Sequence, residues 1–173
     1  MRALKTTILL ASLALASFVS NAQKSTVTME FDNAATANEI VQKYVKALQI
    51  GDVATMSAQL AENAMVYGLG GGLDSLNVAQ HTEYFTNSTT TYKHNITQDL
   101  YLPVKVENNW NEGEWVLAWG TNTVTNKKTG KSTTIPYHVV NLIQDGKIIM
   151  SRHFYDVLNI LESQGFTITP PSE

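Results

Sequence analysis

Apolar residues recur at two different periods along this chain, and the switch between them divides it. Over residues 36–50, Ile40, Tyr44 and Leu48 fall four apart with Val41 and Val45 beside them, which marks one face of a helix. The stretch TANE, Thr36–Glu39, has the form of a capping box and predicts Thr36 as the N-cap. Gly51 ends this helix, and Asp52 is placed to cap a second, short one carrying Val53, Met56 and Leu60. AMVYG then reads as a brief strand. GLGGGLD, Gly68–Asp74, lacks the GK[ST] ending of a phosphate loop and reads as a connection. Asp74 or Ser75 caps a third helix, with Leu76, Val78, Ala79, His81 and Phe85 on its inner side.

From His94 onward the period is two. Leu100, Leu102, Val104 and Val106 alternate, and Pro103 predicts an edge or a bulge. NNWNEGE turns the chain, EWVLAWGTNTVT runs back, and NKKTGKS turns it again. TTIPYHVVNLIQ and KIIMSRHFYDVL follow, joined by Asp145-Gly146, the signature of a two-residue type I′ hairpin. DVLNILESQG closes as a short helix capped by Asp156 and ended by Gly165. Three helices followed by a long antiparallel meander define the α+β class.

Composition narrows the context. Residues 1–22 have a basic start (Arg2, Lys5), an apolar run from Ile8 to Val19 and small residues before Ala22. This is the pattern of a secretory signal, too short in its apolar part to anchor, and it predicts export with cleavage near Ala22. Residues 23–35 are polar and read as a tether to a single domain at 36–168, with a tail at 169–173. The formal net charge is −3, and −5 without the signal, which argues against nucleic acid or an anionic membrane as partner. There is no cysteine, so no disulfide is available. Asn87 and Asn95 begin matches to the glycosylation pattern, which recurs by chance.

Three stretches together resemble a known family. YVKALQIGDVATMSAQLAENAMVYG looks like the paired N-terminal helices, GD turn and first strand of the SnoaL-like group within the nuclear transport factor 2-like superfamily. GEWVLAWGTNT, TGKSTTIPYH and DGKIIMSRHFYD look like its last three strands. The resemblance implies a cone-shaped domain whose bent, largely antiparallel sheet wraps a helix and leaves a pocket between them. It does not fix a reaction, because this fold hosts isomerases, dehydratases, cyclases, epoxide hydrolases and non-catalytic modules.

The hairpin predicts a register. If Asp145-Gly146 is a two-residue turn, Gln144 pairs with Lys147, and His138 then lies opposite His153 and Val140 opposite Ser151. His138, Val140, Leu142, Ile149, Ser151, His153 and Tyr155 then share one face. Tyr137, Val139, Asn141, Ile143, Ile148, Met150, Arg152, Phe154 and Asp156 share the other. Both faces are mostly apolar, so burial does not choose between them. Resemblance to limonene-epoxide-hydrolase-like members does choose: their catalytic aspartates match His153 and Asn122, and the arginine between them matches Gly120. It implies that the His138/His153 face is the pocket face, and that epoxide hydrolysis by that charged trio is lost.

Two readings follow. In one, a small, mostly apolar molecule binds in the cone, and His138 and His153 act as general acid and base with Asn122 and Tyr155 as donors. Isomerisation, dehydration or cyclisation without a cofactor is the chemistry expected. Ser151, Val140, Tyr67 and His81 complete the expected pocket. No metal is expected, since two imidazoles need a third ligand and Asp156 alternates away. In the other reading the chain is a non-catalytic module that forms a homodimer through the sheet, using Trp115, Trp119, Tyr137 and Phe154. Arg152 is expected at the surface or that interface, Tyr44 in the core, and His94 at the surface.

Overall fold

The computed structural model describes residues 25–70, 74–167 and 169, so the expected signal segment and most of the expected tail lie outside the described residues. Strand β1 (Thr26–Thr28) precedes helices α1 (Ala34–Ile50) and α2 (Val53–Ser57) and strand β2 (Leu60–Tyr67). Strand β3 (Ser75–Leu76) leads into α3 (Val78–Thr91), and four long strands follow: β4 (Tyr92–Glu107), β5 (Gly113–Asn126), β6 (Ser132–Gln144) and β7 (Lys147–Tyr155). Helix α4 (Val157–Ser163) ends the fold. The seven strands form one sheet in the order β1-β4-β5-β6-β7-β2-β3. Only β2 and β7 pair in parallel, so the sheet is mixed and largely antiparallel, as expected.

Helix ends show where local signals win or lose. The run AATA extends α1 back to Ala34, because alanine propagates helix well, and Asn33 becomes the N-cap without a side-chain capping bond, its amide donating to Glu114 instead. The TANE box is therefore not the start. At α3 the cap is Asn77, whose side chain accepts from Gln80 N while Gln80 returns a bond to the Asn77 backbone. Asp74 does not cap; its carboxylate accepts from the backbone of Gly68 and Gly70 and closes that connection. Asp52 and Asp156 cap α2 and α4 through Thr55 N and Asn159 N. The tether expected at 23–35 contains β1, which pairs with Lys105–Glu107.

The core lies where the concave sheet meets α1 and α3. Val41, Tyr44 and Val45 of α1 pack with Phe85 of α3 against Val116, Ala118, Val139, Ile143 and Ile148. Two interruptions bend the long strands. In β4 the register shifts between Thr97 and Leu100, with Gln98 at φ 55°. In β7 it shifts by one residue at Ile149, because Ile143 pairs with Ile148 but Leu142 pairs with Met150. Asp145 and Gly146 take φ of 50° and 70°, the two positive values that a type I′ turn requires.

Gly68 sits at φ +82° where β2 ends beside β7, and a Cβ there would collide with the carbonyl oxygen of His153. Gly130 has a similar φ, +70°, with nothing near it. Urea unfolding should show Gly130→Ala losing about 1 kcal/mol for the left-handed backbone alone. Gly68→Ala should lose roughly 2–5 kcal/mol, since overpacking adds to the same backbone term. Equal losses would mean that close approach to His153 plays no part.

Candidate functional site

A cavity of about 490 Å³ opens between α1, α3, α4 and the concave face of β4–β7. Its walls are mostly apolar, from Val45, Leu48, Phe85, Ile96, Ile135 and Val139, with a few polar groups set among them. These include five tyrosines (Tyr44, Tyr84, Tyr92, Tyr137, Tyr155), two histidines (His94, His153) and Asn122. An apolar chamber with few, separated polar groups is the usual form of a small-molecule site.

The Ile149 bulge decides which residues reach it. Beyond the bulge His153 pairs with Val139, and His138 pairs with Phe154. The expected His138/His153 pair therefore does not form. Tyr137, Val139 and Asn141 face inward with Ser151, His153 and Tyr155, while His138 and Val140 face outward. His138 lies between Trp119 and Phe154, with ring centroids 5.9 Å from each. One added residue flips a strand's side chains relative to its neighbour, because side-chain direction alternates with period two. Tyr67, also expected in the pocket, belongs to the outer face, where Arg152 stacks over its ring at 5.3 Å.

His153 is held by a chain of hydrogen bonds with one possible direction. The Val116 carbonyl can only accept, and it accepts from Asn141 Nδ2 at 3.3 Å. Asn141 Oδ1 then accepts from Ser151 Oγ at 2.8 Å. Ser151 Oγ, its proton used, accepts from His153 Nε2–H at 3.3 Å. That assigns the tautomer and leaves Nδ1 as an acceptor. Asn141 and Ser151 are fully buried, which isolates the chain from water. Burial, with His81 nearby, holds the His153 imidazole down to about 3. The ring is neutral at ordinary pH.

His94 is not at the surface; it is 7% exposed and lines the cavity. Helix α3 passes into β4 without a loop, so Ser88 lies over His94, and their Oγ and Nε2 are 3.0 Å apart. Asn122, opposite Ile96 on β5, donates from Nδ2 to His94 Nδ1 at 3.1 Å. Burial lowers the His94 pKa. His81 is wholly buried behind the cavity wall, 2.7 Å from the Tyr44 hydroxyl through Nε2, and burial holds it down to about 4.

The expected donors are both engaged. Asn122 Nδ2 serves His94, and the Tyr155 hydroxyl donates to the Leu69 carbonyl. Tyr137 instead has a buried hydroxyl that makes no hydrogen bond of normal geometry, with Tyr101 beside it. Burial, with Asp99 nearby, pushes it up to about 12, so it stays protonated and able to donate. Of the expected residues, His153, Asn122 and Tyr155 line the cavity; Ser151 and His81 are buried beside it. His94, Ser88 and Tyr137 are additions. His94 and Ile96 alternate in sequence, and that signal places His94 on the Ile96 face once β4 is known to start at Tyr92. Among the described residues no group of three histidine, cysteine or carboxylate side chains could hold a metal ion. No helix there is long and apolar enough to cross a membrane.

With this geometry in view, the chain compares directly with known proteins. The SnoaL-like domain family matches residues 41–150, and the chain belongs to that family. No curated protein matches it. The fold is similar to that of a candidate polyketide cyclase from Xanthomonas campestris pv. campestris, at TM-score 0.63 and 18% identity, over 76% of this chain and 98% of that one. It is similar to an LEH-like epoxide hydrolase from M. tuberculosis, at TM-score 0.56 and 16% identity, over 75% of this chain and 89% of that one. It is also similar to a ketosteroid isomerase-like protein from Erwinia carotovora atroseptica, at TM-score 0.56 and 16% identity, over 72% of this chain and 96% of that one. These three likenesses are of fold: a curved, mixed sheet with helices packed on it.

The buried histidines tie stability to pH. Above about pH 6.5 they are neutral in both folded and unfolded chains, and their contribution is complete. Below it the unfolded chain takes up protons that the fold refuses until about 4 at His81 and about 3 at His153. Stability should therefore fall on acidification from pH 6.5, by up to ~1.4 kcal/mol per pH unit for each histidine. Urea unfolding at stepped pH measures the slope, and His153→Gln should reduce it by about one proton. An unaltered slope would remove His153 from this role.

Proposed function

We propose that this chain binds a small, mostly apolar molecule in the cavity and that His153 transfers a proton next to a carbonyl of that molecule, as an isomerase, dehydratase or cyclase of this family would. The observation that carries the reading is the directed chain from Val116 to His153. It fixes the ring, supplies a proton at Nε2 and leaves Nδ1 as a base within an apolar chamber. Nδ1 accepts the proton α to the carbonyl, and the Tyr137 hydroxyl donates to the oxygen on which charge develops. A base with a low pKa is weak, so the acidified carbonyl partner is as necessary as the base. Export through residues 1–22 remains part of this reading, and N-terminal sequencing of the mature protein should begin at Gln23.

A second reading concerns the outer face of the sheet, where Leu100, Trp119 and Phe154 are 52%, 36% and 51% exposed. Leu102, Leu117, Val140, Leu142 and Met150 extend that face, and apolar residues on both sides of a sheet favour cover on both. A second copy of the chain as that cover gives the homodimer, which can exist with or without catalysis. Sedimentation at micromolar concentration should give twice the chain mass, and Trp119→Glu should return it to one.

Deuterium exchange into 1-tetralone in D2O, followed by proton NMR, tests the proton transfer. The wild-type chain should accelerate exchange at the carbon beside the carbonyl. His153→Gln should lose roughly 10² or more of that rate, the usual share of a general base, while His138→Gln keeps it. Exchange by His153→Gln at the wild-type rate would end the assignment.

A further inference from the structure

The cavity has a second polar pole, where the orientation of the Asn122 amide sets the direction of the hydrogen bonds. Asn122 Nδ2 donates to His94 Nδ1, so the His94 proton sits on Nε2 and is donated to Ser88 Oγ. The open acceptor of the triad is then the Asn122 amide oxygen. Asn122 Oδ1 is buried and has no partner among the described residues. A buried amide oxygen left unpaired costs roughly 1–3 kcal/mol, which a ligand donor would recover.

The two poles are well apart. Asn122 stands opposite Ile135 on β6, and His153 stands opposite Val139 on the same strand. Four residues of strand separate those positions, about 13 Å at 3.3 Å per residue. Between them the floor is formed by Ile135, the ring of Tyr137 and Val139 on β6 and by Ile96 on β4, apolar except for the Tyr137 hydroxyl. No single functional group spans that gap, so the Asn122 pole contacts a different part of the ligand from the part His153 attacks.

We propose that Asn122, held by His94 and Ser88, is a specificity determinant that accepts a hydrogen bond from a hydroxyl at the far end of the ligand. The ligand class is an elongated, mostly apolar ring compound with a hydroxyl at one end and the reacting carbonyl at the other. This rests on the cavity being the ligand site. A hydroxyl fits where a carbonyl does not, because the open atom is an acceptor. A cationic amine fits poorly, since no carboxylate lines the cavity to pair with it. His94 and Ser88 act as positioning residues: their bonds engage the amide nitrogen and leave the buried oxygen for the ligand.

The matched probes 2-naphthol and 2-methoxynaphthalene differ only in the hydroxyl proton. Titration of each into the full chain, followed by tryptophan and naphthyl fluorescence, should give 2-naphthol about tenfold tighter binding, the value of one such bond. Asn122→Leu, close in shape, should erase the preference, and His138→Gln, on the outer face, should leave it. Long-range nitrogen–proton NMR on the wild type gives a readout that needs no variant: the His94 proton should be on Nε2. Equal binding of the two probes, a preference that survives Asn122→Leu, or a proton on Nδ1 would each overturn the proposal. Failure of both probes to bind would overturn the cavity reading itself, whereas loss of tetralone exchange with the naphthol preference intact would remove only the catalytic assignment.

Discussion

The Val116 carbonyl oxygen has no proton to give, and that limitation propagates. Asn141 must turn its amide nitrogen toward it, Ser151 must donate to Asn141, and His153 must donate to Ser151. Each group has only the role its neighbour leaves open. At the other pole the orientation of the Asn122 amide takes the place of the carbonyl and sets the roles of His94 and Ser88. Two neutral imidazoles are thereby set in defined tautomers without a charged partner. In place of charge, the chamber holds oriented neutral dipoles at His153 and Asn122, the two positions where resemblance to limonene-epoxide-hydrolase-like members implies acids.

That replacement suits the chamber. A carboxylate in so apolar a site needs a cation or several donors to stay ionised, and Gly120 stands where resemblance places the arginine. Gly120 has its own reason: a Cβ there would lie 3.0 Å from Asp99 Cα and Thr97 O, at the β4 bulge. The bend that shapes the cone thus occupies the space a charged side chain would need. Neutral histidines tolerate the dry environment, at the expense of basicity and of stability in acid.

Most of the fold was legible in the sequence. The helical spacing of Ile40, Tyr44 and Leu48, the period of two after His94 and the Asp145-Gly146 turn each correspond to an element. The site was legible only in part. Alternation put Ser151, His153 and Tyr155 on one face, and they share it. The phase of β6 against β7 was not readable, because the bulge residue Ile149 is an ordinary β-branched residue with no glycine or positive φ to mark it. His138 was assigned to the wrong face for that reason. His94 was obscured by the missing loop between α3 and β4, which hid the first residues of the strand. Tyr137 followed His138: correcting one phase moves both.

The Ile149 bulge also bears on how such a pocket changes over generations. Beyond it, β7 presents Ser151, His153 and Tyr155 inward and Arg152 and Phe154 outward. Loss of one codon at that point would exchange the two sets, bringing a guanidinium and a phenyl ring into the chamber and sending the imidazole out. No side chain would need to be replaced. A family built on this strand can therefore acquire new chemistry by insertion or deletion in a single step, a route that comparing residues column by column would record as divergence at every position.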